Sequence, residues 1–177
     1  MREQFIQFLQ QPSPASFLKV REALFEQEDF DPYCSALDEV EAMMSEGKWQ
    51  MIVDTITRNL FPNHILSPGA HLNLGFSLHK LGKEKEAEAE QMISSLLFDC
   101  IKSTGDGTEE RPYLVTSTSD EYDILMMDQL GFQGQALVER NGREYDVMTL
   151  EGGGQLWFDI TEIRQILARR FGYSEEE

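Results

Sequence analysis

AHLNLGFSLHKLGKEKEAEA, residues Ala70–Ala89, is the stretch whose reading decides the fold. It reads as two helices folded back on each other at Gly82. Leu74, Gly75, Leu78, Leu81 and Gly82 precede Ala87 in the order L-G-x-x-L-x-x-L-G-x-x-x-x-A. Gly75 suits the point where a paired helix crosses, because it places no side chain in the way. Gly82 suits the left-handed conformation that ends a helix. Ala87 is then the small contact residue of the second helix. Beyond it Ala89, Met92, Ile93, Leu96, Leu97 and Cys100 recur at helical spacing, with Glu84, Glu86, Glu88 and Glu90 mostly facing out. Ala70, Leu72, Leu74, Phe76 and Leu78 also alternate with the period of a strand. The strand reading fails because the run passes into a helical pattern through a glycine cap. A helix between two neighbours also needs apolar residues on more than one side.

This spacing resembles a tetratricopeptide repeat, in which small residues let antiparallel helices approach closely. An earlier copy is visible. Gly47 precedes Gly82 by 35 residues, close to the repeat period of about 34. Leu37, Val40, Met43 and Met44 make a helical face before Gly47, and Trp49, Ile52, Val53, Ile56 and Leu60 make one after it. The earlier copy departs from the pattern: Val40 stands where glycine is preferred, and Ile52 where alanine is. Two repeats are fewer than the roughly three a free-standing array needs. The flanking segments are therefore expected to cover the exposed ends, as capping helices do.

Outward from the hairpins, the chain is acidic throughout. Its 177 residues carry 32 acidic and 15 basic side chains, a net charge of −17. Such a field repels phosphate backbones and argues against nucleic-acid binding. It favours basic partners or cations, or simply a soluble surface. Cys34 and Cys100 lack C-x-x-C spacing and are expected to be reduced and buried. MREQFIQFLQQP has no signal-peptide pattern, and no apolar run is long enough to span a bilayer. The expected setting is the cytoplasm.

Phe5, Ile6 and Leu9 are expected to face the core from a first helix. Ser13 and Pro14 start a second helix that buries Phe17, Leu18, Val20, Leu24 and Phe25 and runs to about Gln27. Glu28–Cys34 is an acidic loop, and Phe61–Pro68 connects the repeats. Helical periodicity stops at Ser103, and TGDGTEERP reads as a loop and a module boundary. Pro112–Ser117 reads as a strand. Ser119–Leu130 reads as a helix with Ser119 as N-cap and Gly131 as its stop. Gln135–Glu139 and Arg143–Leu150 flank Asn141-Gly142, a hairpin signal. A turn at Gly152–Gly154 leads to a strand at Gln155–Ile160. Thr161 then caps a final helix that holds Ile163, Ile166, Leu167 and Phe171. The expected fold is α+β: tetratricopeptide-like helical hairpins over 1–103, a small antiparallel-sheet module with a C-terminal helix over 104–173, and a disordered tail over 174–177.

The ordered series TGDG (Thr104–Gly107), DEYDIL (Asp120–Leu125), GQAL (Gly134–Leu137), YDVM (Tyr145–Met148) and WFDI (Trp157–Ile160) follows the repeat hairpin. Together they resemble an uncharacterised bacterial family known only as a domain of unknown function. The resemblance covers roughly Tyr33 to Ile163 and leaves Met1 to about Gln27 outside. It implies one module downstream of tetratricopeptide-like helices, and no activity.

Candidate sites come from the acids. Asp106, Glu109 and Glu110 share a glycine-containing loop of the kind that binds Ca²⁺ or Mg²⁺. The run lacks the order of a calcium loop, and Asp-Gly turns explain it more simply. Asp120, Glu121, Asp123 and Asp146 are the candidates for a carboxylate pair doing hydrolytic acid–base work. Helix capping is the simpler account of the first two. His71 and His79 are offset by about 80° on one helix and lack the spacing of a zinc site. No framed nucleophile or phosphate loop is present in the sequence. No cofactor is expected. The favoured expectation is a non-enzymatic adaptor that binds a protein or peptide, basic or amphipathic, in a helical groove lined by Asn73, Ser77 and Lys80. A metal-dependent or carboxylate-based hydrolase is the alternative, and a homodimer through an uncovered repeat face is the third reading.

Overall fold

The computed structural model describes residues 1–171, and the side chain of Phe171 is outside that description. The expectations for Phe171 and for the tail at 174–177 therefore fall outside the described residues. The protein is α+β, and the chain divides into two compact units, Met1–Cys100 and the residues from Ile101 onward. The division falls within a helix, not after it.

The first unit is helical: α1 (Arg2–Gln10), α2 (Pro14–Phe25), α3 (Val40–Ser45), α4 (Trp49–Asn59), a π turn at Leu60–His64, α5 (Pro68–Lys80) and α6 (Glu84–Ser103), which continues into the second unit. The chain enters α2 through a reciprocal cap. The Ser16 amide donates to Ser13 Oγ and the Ser13 amide to Ser16 Oγ, with Pro14 at the first position. Ser67 starts α5 in the same manner, accepting from the Ala70 amide at 3.1 Å. Two helices end identically. Gly47 (φ +68°) and Gly82 (φ +74°) take the left-handed conformation. In each case the following amide reaches back a full turn, Lys48 N to Met43 O and Lys83 N to Leu78 O, both at 3.0 Å. A Cβ at Gly82 would touch nothing, so the cost of Gly82→Ala is backbone strain alone. We expect about 1 kcal/mol, read from urea unfolding.

Gly75 behaves differently. A Cβ there would lie 3.1 Å from the Ala87 carbonyl oxygen and 3.3 Å from the Gln91 amide. Its bareness lets α5 and α6 cross. Val40, Ile52, Val53, Ile56, Ala70, Leu74, Leu78 and Ala87 form one core shared by α3 to α6. Phe5, Phe8 and Phe17 join α1 to α2, and Phe5 stacks on His71 of α5.

Several inward faces differ from the periodic expectation. Phe8, not Ile6, joins Phe5 inside, and Ile6 is more than half exposed. Leu18 is exposed, while Ala23 takes a core place in α2. On α6 the buried line is Ala87, Ser94, Leu97, Cys100 and Ile101, whereas Met92 is 73% exposed and Ala89 faces solvent. The Ser94 hydroxyl explains the rotation: it donates to the Pro68 carbonyl at 2.8 Å, so a polar residue occupies the inner face. Cys34 is half-buried and Cys100 buried, and neither is in a disulfide.

The second unit carries a four-stranded sheet in the order β1 (Tyr113–Leu114), β4 (Gln155–Asp159), β3 (Arg143–Leu150), β2 (Phe132–Arg140), with helices α7 (Ser119–Met127) and α8 (Thr161–Phe171). The β2–β3–β4 meander is antiparallel. β1 pairs with β4 in parallel, so the sheet is mixed and not wholly antiparallel. Two residues of β1 pair where a longer strand was expected, because the chain turns at Thr116 to start α7. Asn141 (φ 53°) and Gly142 (φ 73°) form the tight turn between β2 and β3.

The caps also differ from expectation. α7 stops where Gln129 turns left-handed (φ 55°) and the Leu130 amide reaches Leu125 O at 2.8 Å, before Gly131. Gly131 instead accepts the Glu151 amide on its carbonyl at 2.8 Å. α8 is capped by Asp159, whose Oδ1 accepts from the Thr161 amide. The Thr161 hydroxyl is used on β3, accepting from the Glu144 amide at 3.0 Å.

Candidate functional site

The TGDG loop is a clasp built from backbone. The amides of Asp106 and Gly107 both donate to the Arg111 carbonyl, at 2.9 and 3.1 Å, and the Trp157 amide donates to the Gly107 carbonyl at 2.9 Å. Asp106 is exposed, accepts from the Thr108 amide and hydroxyl, and pairs with Arg111. The Thr108 hydrogen bonds hold its carboxyl below the usual range. Glu109 pairs with Arg140, and Glu110 is exposed. Asp106 and Glu109 are thus turned to different arginines. Among the described residues no group of three or more His, Cys, Asp or Glu is arranged to hold a metal ion. The histidines are equally dispersed. His64 is buried, with its imidazole pushed down by burial. His71 bridges Glu90 and the Ile65 carbonyl, and His79 meets Glu84.

The second acidic set does converge. Asp120 sits in the first turn of α7 and is fully buried. Its Oδ2 accepts from the Thr116 amide at 2.8 Å, the Thr116 hydroxyl at 2.7 Å and the Ser117 amide at 3.1 Å. This fastens the chain from β1 into α7. Ser119, the expected N-cap, lies inside α7 and its hydroxyl bonds Ser117, while Thr118 holds the cap position without a side-chain hydrogen bond. Burial still pushes the Asp120 carboxyl up, against the pull of those donors.

Glu121, next along α7, is also fully buried, and neither carboxyl oxygen has a well-aligned hydrogen bond within the described residues. Burial first, then the neighbouring Asp146 charge, pushes it up to about 10. Glu121 is therefore a neutral carboxylic acid at pH 7. Asp146 comes from β3, is 7% exposed and is also raised, chiefly by burial, while hydrogen bonds with Gln135 and Glu121 oppose the rise. Glu121 and Asp146 are thus two neighbouring buried carboxyls, each pushed up chiefly by burial. Gln135 on β2 completes the set and accepts from the Tyr122 hydroxyl at 2.9 Å. Asp123 is half-buried and lies two residues on, about 200° around the helix from Glu121. It is not part of the pair.

This arrangement is chemically tuned yet enclosed. A carboxyl that transfers a proton to a substrate must reach it within hydrogen-bond distance. With Asp120 and Glu121 at 0% exposure, the acids hold α7 on the sheet and present no surface to a ligand. A cleft of this unit, about 620 Å³, is lined by other residues: Glu139, Glu144, Thr161, Arg164, Gln165 and Arg169. Nothing in the sequence pattern pointed to it, because its lining comes from a hairpin end and a helix far apart in the chain.

In the helical unit, the expected groove residues divide. Asn73 is half-buried and Lys80 exposed, but Ser77 is fully buried on the inner side of α5 and cannot line a groove. The sequence reading missed Phe76. It lies on one helical stripe with Asn73 and Lys80, is 38% exposed, and is met edge-on by Trp49 at 5.7 Å. Lys80 Nζ lies 5.0 Å over its ring. An apolar residue that breaks the buried face is the signal that would have found it.

Among the described residues no helix is long and apolar enough to cross a membrane. No curated protein and no solved structure matches the chain significantly. A family model does match, over residues 26–169, a span that contains α3 to α7, the whole sheet and most of α8. The protein belongs to the family described as a domain of unknown function, DUF4919.

Proposed function

We propose that the helical unit is a tetratricopeptide-like module that binds a protein or peptide, and that the chain acts as an adaptor and not as an enzyme. The observation that carries this is the Asn73–Phe76–Lys80 stripe of α5, with an aromatic ring held at the surface between Trp49 and Lys80. Partly exposed aromatics beside a cation are characteristic anchors of recognition surfaces. The identical glycine caps, 35 residues apart in sequence, support the repeat reading of α3 to α6. The net charge of −17 favours a basic or amphipathic ligand. The burial of Glu121 and Asp120 weighs against the hydrolase alternative.

The test is fluorescence polarisation against labelled peptides of about 15 residues, in basic, neutral and acidic sets. Basic amphipathic peptides should bind, and Phe76→Ala should weaken them about tenfold or more, with the thermal midpoint little changed. No binding at about 100 µM, or binding indifferent to Phe76→Ala, overturns the proposal.

A further inference from the structure

We propose that the free edge of β2 pairs with β2 of a second copy of this chain, antiparallel, so that one sheet continues through a two-fold dimer. Among the described residues β2 bonds to β3 on one side only and ends the sheet. It is long for an edge, nine residues, and nearly all of it is exposed. Edge strands are normally protected by lysine, proline, short length or a bulge. Here a bulge lies between Phe132 and Gly134. The regular stretch that follows, Gly134–Arg140, contains neither lysine nor proline, and no charge before Glu139.

The direction of its backbone groups follows from the hairpin. Arg140 and Arg143 flank the two-residue turn and form a hydrogen-bonded pair, as do alternate pairs back along the strand. Arg140, Val138, Ala136 and Gly134 therefore face β3, and Glu139, Leu137 and Gln135 direct their amides and carbonyls outward. A two-fold axis through Leu137 uses the whole regular stretch. Leu137 meets its own copy, Gln135 meets Glu139, Ala136 meets Val138, and Gly134 meets Arg140. No like charges face each other in this register. An axis shifted to Glu139 would set two glutamates opposite each other, which is unfavourable. Leu137, 57% exposed, is the most exposed large apolar residue of the strand, and this axis covers it against itself. The self-complementary register points to a second copy in place of a foreign strand.

The test is sedimentation velocity of the full chain across a concentration series. The wild type should be dimeric at about 100 µM, and Leu137→Lys, which brings two ammonium groups face to face, should weaken the dimer about tenfold or more. Leu137→Thr, neutral and strand-forming, should retain it. Circular dichroism checks that each variant is folded; the exposure of Leu137 and the Asp146 carboxylate beside it make Lys tolerable in the monomer. A monomeric wild type at that concentration overturns the proposal and leaves the edge to a strand from another protein. A dimer indifferent to Leu137→Lys overturns it as well.

Discussion

Glu121→Gln should make the protein more stable at pH 7, by about 1–3 kcal/mol, and should flatten its stability between pH 5 and 9. The reasoning is one of proton linkage. In the unfolded chain Glu121 titrates near its ordinary value of 4.5, and in the folded protein near 10. Between those values the folded state holds a proton that the unfolded state has released. The contribution of this group is therefore complete below pH 4.5 and is lost steadily as pH rises toward 10. At pH 7 the chain must take up that proton to fold, at a cost of about 3 kcal/mol. Glutamine has the shape of the protonated acid and keeps a donor for Asp146, but carries no such cost. Urea unfolding at pH 5, 7 and 9 checks this. The wild type should weaken with rising pH, and the variant should not. Equal slopes would show that Glu121 does not hold the extra proton.

The second large effect is expected at Gly105. A Cβ there would stand 2.3 Å from the carbonyl oxygens of both Arg111 and Pro112. Those atoms are backbone, and the clasp around the Arg111 carbonyl fixes them. Gly105→Ala must therefore open the loop, and we expect a loss of about 2–4 kcal/mol, or failure to fold. A matched control is Gly134→Ala, where a Cβ would meet nothing. If the two variants melt alike, the close approach at Gly105 is not what the TGDG motif provides.

The helix ends of the first unit and the β2–β3 turn of the second are legible because their information is local. A serine before a proline, a glycine after the last periodic residue and an Asn-Gly turn each act within a few residues. What was not legible depends on a distant partner. Periodicity placed Met92 inside α6, but α6 is apolar on more than one side, and the hydrogen bond from Ser94 to Pro68 selects the inner one. The parallel pairing of β1 with β4 joins Tyr113 to Phe158, residues whose neighbours carry no mark of each other. The sequence offers Asp120, Glu121 and Asp146 as candidate acids but hides their burial, since charge suggests solvent. Asp123 was included through sequence proximity and excluded by helical pitch. Ser77 failed for the same reason in reverse: adjacent to the exposed Phe76, it points a quarter-turn away into the core.

Trp49 belongs to the helical unit, edge-on to Phe76, and Trp157 to the sheet, edge-on to Tyr145 and beneath the Arg140 guanidinium. The sequence has no other tryptophan. The protein thus carries one tryptophan, selectively excited at wavelengths beyond tyrosine absorption, in each half. Trp49→Phe and Trp157→Phe variants would each report the melting of a single half by its emission. Superimposed traces would mean that both halves melt as one cooperative body, and separated traces that either one stands while the other is lost.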